Sequence, residues 1–313
     1  MPNFSKSITL YLMDGGDPNG RWQCNLSNWN GTAYKIPRQM VKYCTDKPDL
    51  RNVCGVYFLF GHDLEQDKPL VYVGETEDIL TRLKQHLDGK DYWNEVIVLI
   101  SKEINKAHMK YLENLFYSTA VSAGRYIIMN SSTPRKSKLS EAEEAVMEEF
   151  IYNAKIIVNT LGHKAFETLR QAATVDELGI WSSDVMYYII SKSKNVQASG
   201  MPSSDGFVVF HGSSVSSTET KSLSQGTRKF RARLIQEKKI IGQIFVEDVL
   251  FTSSSAASDC ILGMRSSGPI YWKTKEGYTL KEIEEGENRL WENYINEVTE
   301  GNGHIKWESK RGR

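Results

Sequence analysis

Residues 53–76 read V-C-G-V-Y-F-L-F-G-H-D-L-E-Q-D-K-P-L-V-Y-V-G-E-T, and the fold of the first part of the chain turns on them. Val53 to Phe60 and Leu70 to Val73 are rich in β-branched and aromatic residues. A polar loop with Gly61, Asp63 and Pro69 separates them. Paired as a hairpin, the two strands bring Tyr57 and Tyr72 to one face of a sheet. A helix is expected next, from about Glu77 to Leu87, with Ile79, Leu80, Leu83 and Leu87 as its apolar stripe. Thr76 is the expected N-cap, with Glu77 and Asp78 at the positive end of the helix dipole. Val96–Ile100 predicts a third strand. Lys106–Val121 predicts a second helix facing inward through Ala107, Tyr111, Leu112, Leu115 and Phe116, and Pro134 closes the unit. The order β-β-α-β-α describes a compact domain on a three-stranded sheet.

On the N-terminal side, residues 1–52 read as a β-containing extension. Ser7–Leu12 and Trp22–Asn25 are expected strands around a turn-rich Asp14–Gly20, and Arg38–Tyr43 a short helix. On the C-terminal side, residues 138–200 read as a helical connector and linker. Leu139–Thr160 is helical in pattern, opened by the capping box Ser140/Glu143, and Ser191–Asp205 is polar enough for a linker. A second α/β module is expected at 201–285. Phe207–His211 and Ile270–Lys273 read as strands, Thr227–Lys239 as a basic helix and Ala256–Leu262 as another helix. An acidic helix and polar tail occupy 286–313. The whole is an α+β chain with no internal repeat.

A quarter of the residues are charged, which suits a soluble globular protein, and no apolar run approaches the roughly 18 residues of a membrane span. Met1–Lys6 and the short apolar stretch after it lack signal-peptide character, so a cytoplasmic protein is expected. Cys24, Cys44, Cys54 and Cys260 have no metal-ligand spacing and read as small apolar residues. The 39 basic and 39 acidic residues cancel, but they are segregated. Lys221–Lys239 holds seven Lys or Arg against Glu237, while Glu276–Glu300 holds eight glutamates against Lys281 and Arg289. A local basic patch is what a phosphate backbone feels, so Arg228, Lys229, Arg231 and Arg233 are candidate DNA contacts.

Hydrolysis of a phosphodiester needs an activated water, charge stabilisation at phosphorus and a neutralised leaving oxygen. Arg82 and His86 stand at i and i+4, on one side of their helix beside the apolar stripe. Glu113 falls away from the buried stripe of its own helix. Each of these taken alone reads as an ordinary surface side chain, and each tyrosine as an ordinary strand residue. His108 reads as a surface residue, Ser253–Ser255 as plain helix capping, and Tyr271 and Trp272 as core.

Taken together, Gly55-Val56-Tyr57, Tyr72-Val73-Gly74, Arg82 ten residues after the second tyrosine, His86, Glu113 in Tyr111-Leu112-Glu113, and Asn130 resemble the GIY-YIG nuclease family over residues 53–135. Valine replaces isoleucine in both name-giving tripeptides. The resemblance implies a DNA endonuclease dependent on Mg²⁺ or Mn²⁺. Glu113 would be the single carboxylate ligand and Arg82 the clamp on the scissile phosphate. Tyr57 would activate water with His86 assisting, and Tyr72 would orient phosphate or water, though the two tyrosine roles are interchangeable at this level. Gly74 would lie against the substrate and Asn130 would brace the site. Gly206-Phe207, His211-Gly212-Ser213, Phe251 to Ala257, Leu262-Gly263 and Tyr271-Trp272 are similar to a domain of unknown function that accompanies bacterial GIY-YIG domains. A role in restriction or phage defence is expected by analogy. The alternative is a nuclease-derived protein that binds nucleic acid or a protein partner without cutting.

Overall fold

The computed structural model describes residues 5–46, 48–169 and 185–286, so the acidic tail expected at 286–313 lies outside them beyond its first residue. The chain divides into two compact units, residues 1–168 and 169–313. The fold is mixed α+β in both.

In the first unit the strands are β1 (Ile8–Leu12), β2 (Trp22–Leu26), β3 (Thr32–Pro37), β4 (Gly55–Asp63), β5 (Lys68–Thr76), β6 (Trp93–Ile100) and β7 (Ile127–Ile128). The helices are α1 (Ile79–Gly89), α2 (Lys106–Ala123) and α3 (Glu141–Thr160), with a 3₁₀ helix at Arg38–Asp46. The sheet order is β1-β2-β3-β6-β4-β5-β7, antiparallel except where β7 joins β5. The expected three strands are therefore the centre of a seven-stranded sheet. The link is β3, which the sequence pattern does not mark and which pairs with β6 from Thr32↔Ile100 to Pro37↔Glu95. Through it, the segment read as an extension becomes part of the same sheet.

Both faces of the sheet are covered, which explains why β4 and β6 read as continuous apolar runs rather than alternating ones. Val56, Phe58, Phe60, Val71 and Val73 form one core with Leu112 and Phe116 of α2 and with Phe150 and Ile157 of α3. Tyr57, Leu59, Val96 and Val98 pack on the other side with Ile79, Leu80 and Leu83 of α1 and with Val41 and Cys44 of the 3₁₀ helix. The β4–β5 ladder runs on through Gly61↔Leu70, His62↔Pro69 and Asp63↔Lys68, so the expected loop shrinks to Leu64–Asp67. Gly61 is glycine because a Cβ there would come 1.9 Å from the Tyr92 carbonyl oxygen.

Helix α1 starts two residues later than expected. Asp78, not Thr76, is its N-cap, accepting from the Thr81 amide at 3.3 Å and the Thr81 hydroxyl at 2.6 Å. The shorter Thr76 hydroxyl bonds the Asp78 backbone instead. The capping box of Ser140 and Glu143 opens α3 as the sequence pattern indicates.

The second unit contains β8 (Tyr187–Ser191), β9 (Val196–Ser203), β10 (Gly206–Val209), α4 (Gln225–Gln236), β11 (Ile240–Ile241), β12 (Ile244–Phe245), β13 (Val249–Phe251), α5 (Ser254–Leu262) and α6 (Gly268–Tyr271). Its main sheet is antiparallel in the order β13-β10-β9-β8. The expected linker Ser191–Asp205 is thus mostly strand. Val196, Ala198 and Met201 bury their side chains, and Gly200 admits the Phe207 ring, which would lie 2.6 Å from a Cβ. Ile270–Lys273, expected as a strand, is instead the end of α6 followed by a bridge from Lys273 to Tyr188. Among the described residues no helix is long and apolar enough to cross a membrane. All four cysteines are free thiols, Cys54 half-buried and the others buried.

Candidate active site

Tyr57 is fully buried in the middle of β4, on the face covered by α1. Its cross-strand partner is Gly74, where a Cβ would stand 2.4 Å from the phenol Cζ and Oη. The missing side chain at 74 is the space that the Tyr57 ring end occupies. Gly55 meets a similar demand, since a Cβ there would lie 2.7 Å from the Leu99 carbonyl oxygen. Tyr72 stands opposite Leu59, so it shares the face of Tyr57, and the two ring centroids are 6.2 Å apart.

Helix α1 places Arg82 and His86 one turn apart over these rings. His86 Nε2 is 2.8 Å from the Tyr57 hydroxyl oxygen, and Arg82 Nε donates to that oxygen at 3.1 Å. The His86 ring also meets the edge of Tyr72 at 5.5 Å between centroids. His86 is only 4% exposed, which corrects its reading as a boundary residue. The position beside the apolar stripe was right, but the tyrosine-bearing face of the sheet closes over it.

Arg82 can only donate, so the Tyr57 hydroxyl accepts from it. In the tautomer of His86 that leaves Nε2 unprotonated, the hydroxyl donates its own proton to that nitrogen. Burial, and then Lys90 and Arg82, lower the His86 pKa to about 4, so its ring is neutral at ordinary pH and free to accept. Burial, then the neighbouring Tyr72, push the Tyr57 phenol well above its usual value. The hydrogen bond from Arg82 offsets part of that. That same hydrogen bond raises the Arg82 pKa further.

Glu113 projects from α2, half-buried. Burial first, and the adjacent Glu75 second, raise its carboxyl to about 7, against the opposing pull of Arg82 and Lys110. Tyr57 and Arg82 both feel or are felt by Glu113, so the carboxylate belongs to the same locality. Among the described residues, no three His, Cys, Asp or Glu gather as a metal cage. A lone carboxylate does fit the one-ligand site that the sequence resemblance implies. The Glu113–Glu75 repulsion is also what a divalent cation would relieve. Asn130 does not reach the tyrosines. Its amide accepts from Val73 N–H at 3.0 Å and donates to the Val73 carbonyl at 2.7 Å, continuing the β7–β5 pairing by side chain. It braces the strand between Tyr72 and Gly74.

Three residues that sequence reasoning missed also shape the site. Gln85 accepts from Arg82 at 3.0 Å. Lys90 holds its ammonium 3.1 Å from the Tyr72 ring centroid. Arg38, from the 3₁₀ helix, donates to the carbonyls of Leu87 at 2.8 Å and Lys90 at 2.6 Å while lying 4.5 Å from the Trp93 ring. The sequence did hold a signal for Lys90. Arg82, His86 and Lys90 are a basic series at four-residue spacing.

The basic quartet of the second unit does not form one outward face. Arg231 is 5% exposed; its guanidinium donates to the carbonyls of Cys260, at 2.7 Å, and Ser216, with Glu219 at 3.4 Å. Arg228 pairs with Glu219 at 2.6 Å and bonds the Leu223 and Thr220 carbonyls. Arg233 lies over the Phe230 ring, and Lys229 is exposed. Glu219 thus pairs with two cations of this helix, Arg228 and Arg231. Ser253 caps α5, accepting from the Ala256 amide. Trp272 is core, 4.4 Å from Phe207 between ring centroids, whereas Tyr271 is exposed, contrary to expectation. His108, expected at the surface, is half-buried and completes the N-terminal capping box of α2.

The family described as Domain of unknown function (DUF4357) matches residues 188–284. No curated protein and no solved structure matches the chain. The matched segment does not include β4, β5 or α1, so the likeness of residues 53–135 to GIY-YIG nucleases rests on those residues themselves.

Proposed function

We propose that the first unit is a metal-dependent endonuclease that hydrolyses DNA phosphodiesters, and that the second unit positions the substrate. The observation that carries this reading is the Tyr57 hydroxyl held between a donor and an acceptor, Arg82 Nε at 3.1 Å and His86 Nε2 at 2.8 Å. His86 is neutral and so available to accept the phenol proton; burial, Lys90 and Arg82 make it a weak base, and the negative charge of a bound phosphate would raise its basicity.

In this mechanism a water oxygen attacks phosphorus while the bond to the leaving oxygen breaks. The water proton passes to the Tyr57 oxygen as the phenol proton passes to His86 Nε2. Tyr57 therefore never exists as a free phenolate, and its raised pKa does not block the step. Arg82 pairs with phosphate oxygens as charge builds on them. Glu113 would hold Mg²⁺ or Mn²⁺, which when bound supplies charge neutralisation at phosphorus and at the leaving oxygen. Tyr72, beside both Tyr57 and His86, orients the phosphate or the water.

The test is purified protein with plasmid and linear DNA, in Mg²⁺ or in chelator, beside Glu113→Ala and Arg82→Ala. Metal-dependent cutting that falls by at least about 10²-fold in each variant is expected. Undiminished cutting by Glu113→Ala would overturn the assignment. Absence of cutting by folded wild type would favour the binding protein that no longer cuts.

A further inference from the structure

Arg82 and Lys90 flank the tyrosine pair, and among the described residues neither forms an ion pair. Arg82 is held by two neutral groups, the Tyr57 hydroxyl and the Gln85 amide oxygen. Lys90 is half-buried and its ammonium rests on the face of Tyr72. A lysine with its head this far out of water normally meets a carboxylate, and this one meets an aromatic ring. Its backbone is fixed on both sides of the peptide unit. The Lys90 N–H bonds the His86 carbonyl at 3.2 Å, and its carbonyl accepts from Arg38 Nη1 at 2.6 Å. The backbone that carries the ammonium is therefore tied to the end of α1.

We propose that Lys90 is a phosphate-binding residue which, together with Arg82, grips the DNA backbone over Tyr72; this rests on the nuclease reading above. Two cations without an ion pair among the described residues, one planar and one compact, fit two non-bridging oxygens or two successive phosphates of one strand. Burial and the neighbouring Arg82 lower the Lys90 pKa to about 8, a strain that an arriving phosphate anion relieves.

The test uses full-length protein and a 20-base-pair duplex, with binding measured in chelator over a range of salt and cutting measured in Mg²⁺. The variants are Lys90→Met, which keeps the stem and removes the charge, and Lys90→Arg, which keeps the charge; melting curves check both. Lys90→Met is expected to bind more weakly, with a slope of log affinity against log salt flatter by about 0.9, and to cut at least about tenfold more slowly. Lys90→Arg should keep the wild-type slope. A residue that merely supported α1 would change melting without moving the slope. If wild type cuts and Lys90→Met binds with the same affinity and slope, Lys90 touches no phosphate and the nuclease reading stands. If wild type binds with a salt-dependent affinity but does not cut, the nuclease reading falls, and the slope of Lys90→Met still decides the role of Lys90.

Discussion

The Tyr57 hydroxyl has one proton and two polar neighbours, and replacing it with hydrogen tests both bonds. Tyr57→Phe should keep the fold but leave His86 Nε2 buried without a partner. Urea denaturation should show a loss of about 1–3 kcal/mol, and cutting should fall at least about 10²-fold. Retained cutting would move the proton-accepting role to Tyr72. A second prediction concerns two groups whose shifts have opposite signs. His86 has a folded pKa near 4 against an ordinary 6.5, so acidification through this window protonates the unfolded chain first and lowers stability. Glu113 has a folded pKa near 7 against 4.5, so its contribution is full below about pH 4.5 and is lost as pH rises to 7. The two slopes oppose each other in the wild type. In chelator, Glu113→Gln should be more stable than wild type at pH 8 by about 1–2 kcal/mol, allowing for its partial exposure. It should then lose stability more steeply between pH 6.5 and 4. Parallel stability curves for the two proteins would refute this.

Helix α1 is the element that turns a list of side chains into a site, and both of its ends are tied. Asp78 caps its start, and Arg38 with the Trp93 indole takes up carbonyls of its last turn. Arg38→Ala leaves two of those carbonyls without a charged donor and exposes the Trp93 face, a loss of about 2–3 kcal/mol in urea denaturation. Cutting should fall as well, because His86 sits in that last turn. Lysine at 38 should restore only part, since one ammonium does not reproduce the fork. If Arg38→Ala is as stable as wild type, this clamp does not hold the helix. The helix itself was legible within two residues, because its apolar stripe has the helical period. Strand β3 was not, because it is buried on both faces and ends in Pro37, so neither alternation nor a turn signal marks it.

At the scale of the molecule, each unit has its own hydrophobic core and should unfold as its own cooperative step. Arg231→Ala removes a buried cation from the Cys260 and Ser216 carbonyls, while Glu219 keeps Arg228. One unfolding transition should shift by about 1–3 kcal/mol while the other stays in place. Lys229→Ala should leave both transitions within about 0.5 kcal/mol and, if the exposed side of α4 touches DNA, flatten the salt slope by about 0.9. An unchanged slope would confine DNA contact to other surfaces. This separates two residues that looked equivalent as neighbours in a basic run.

The sequence by itself determined the tyrosine hairpin, the phase of Arg82 and His86 on their helix, and the place of Glu113 off the buried stripe of its own helix. Those features depend on the period of a single element, which the order of residues states directly. Tertiary structure alone decided that His86 is buried and neutral, that the Tyr57 hydroxyl lies against its Nε2, and that Arg38 joins the site. It also decided that three sheet strands become seven and that Arg231 turns inward. Burial and charge environment are set by whatever covers a face, and the covering residues come from distant parts of the chain. Arg38 reaches α1 from 49 residues before Leu87, a separation over which no local periodicity carries information.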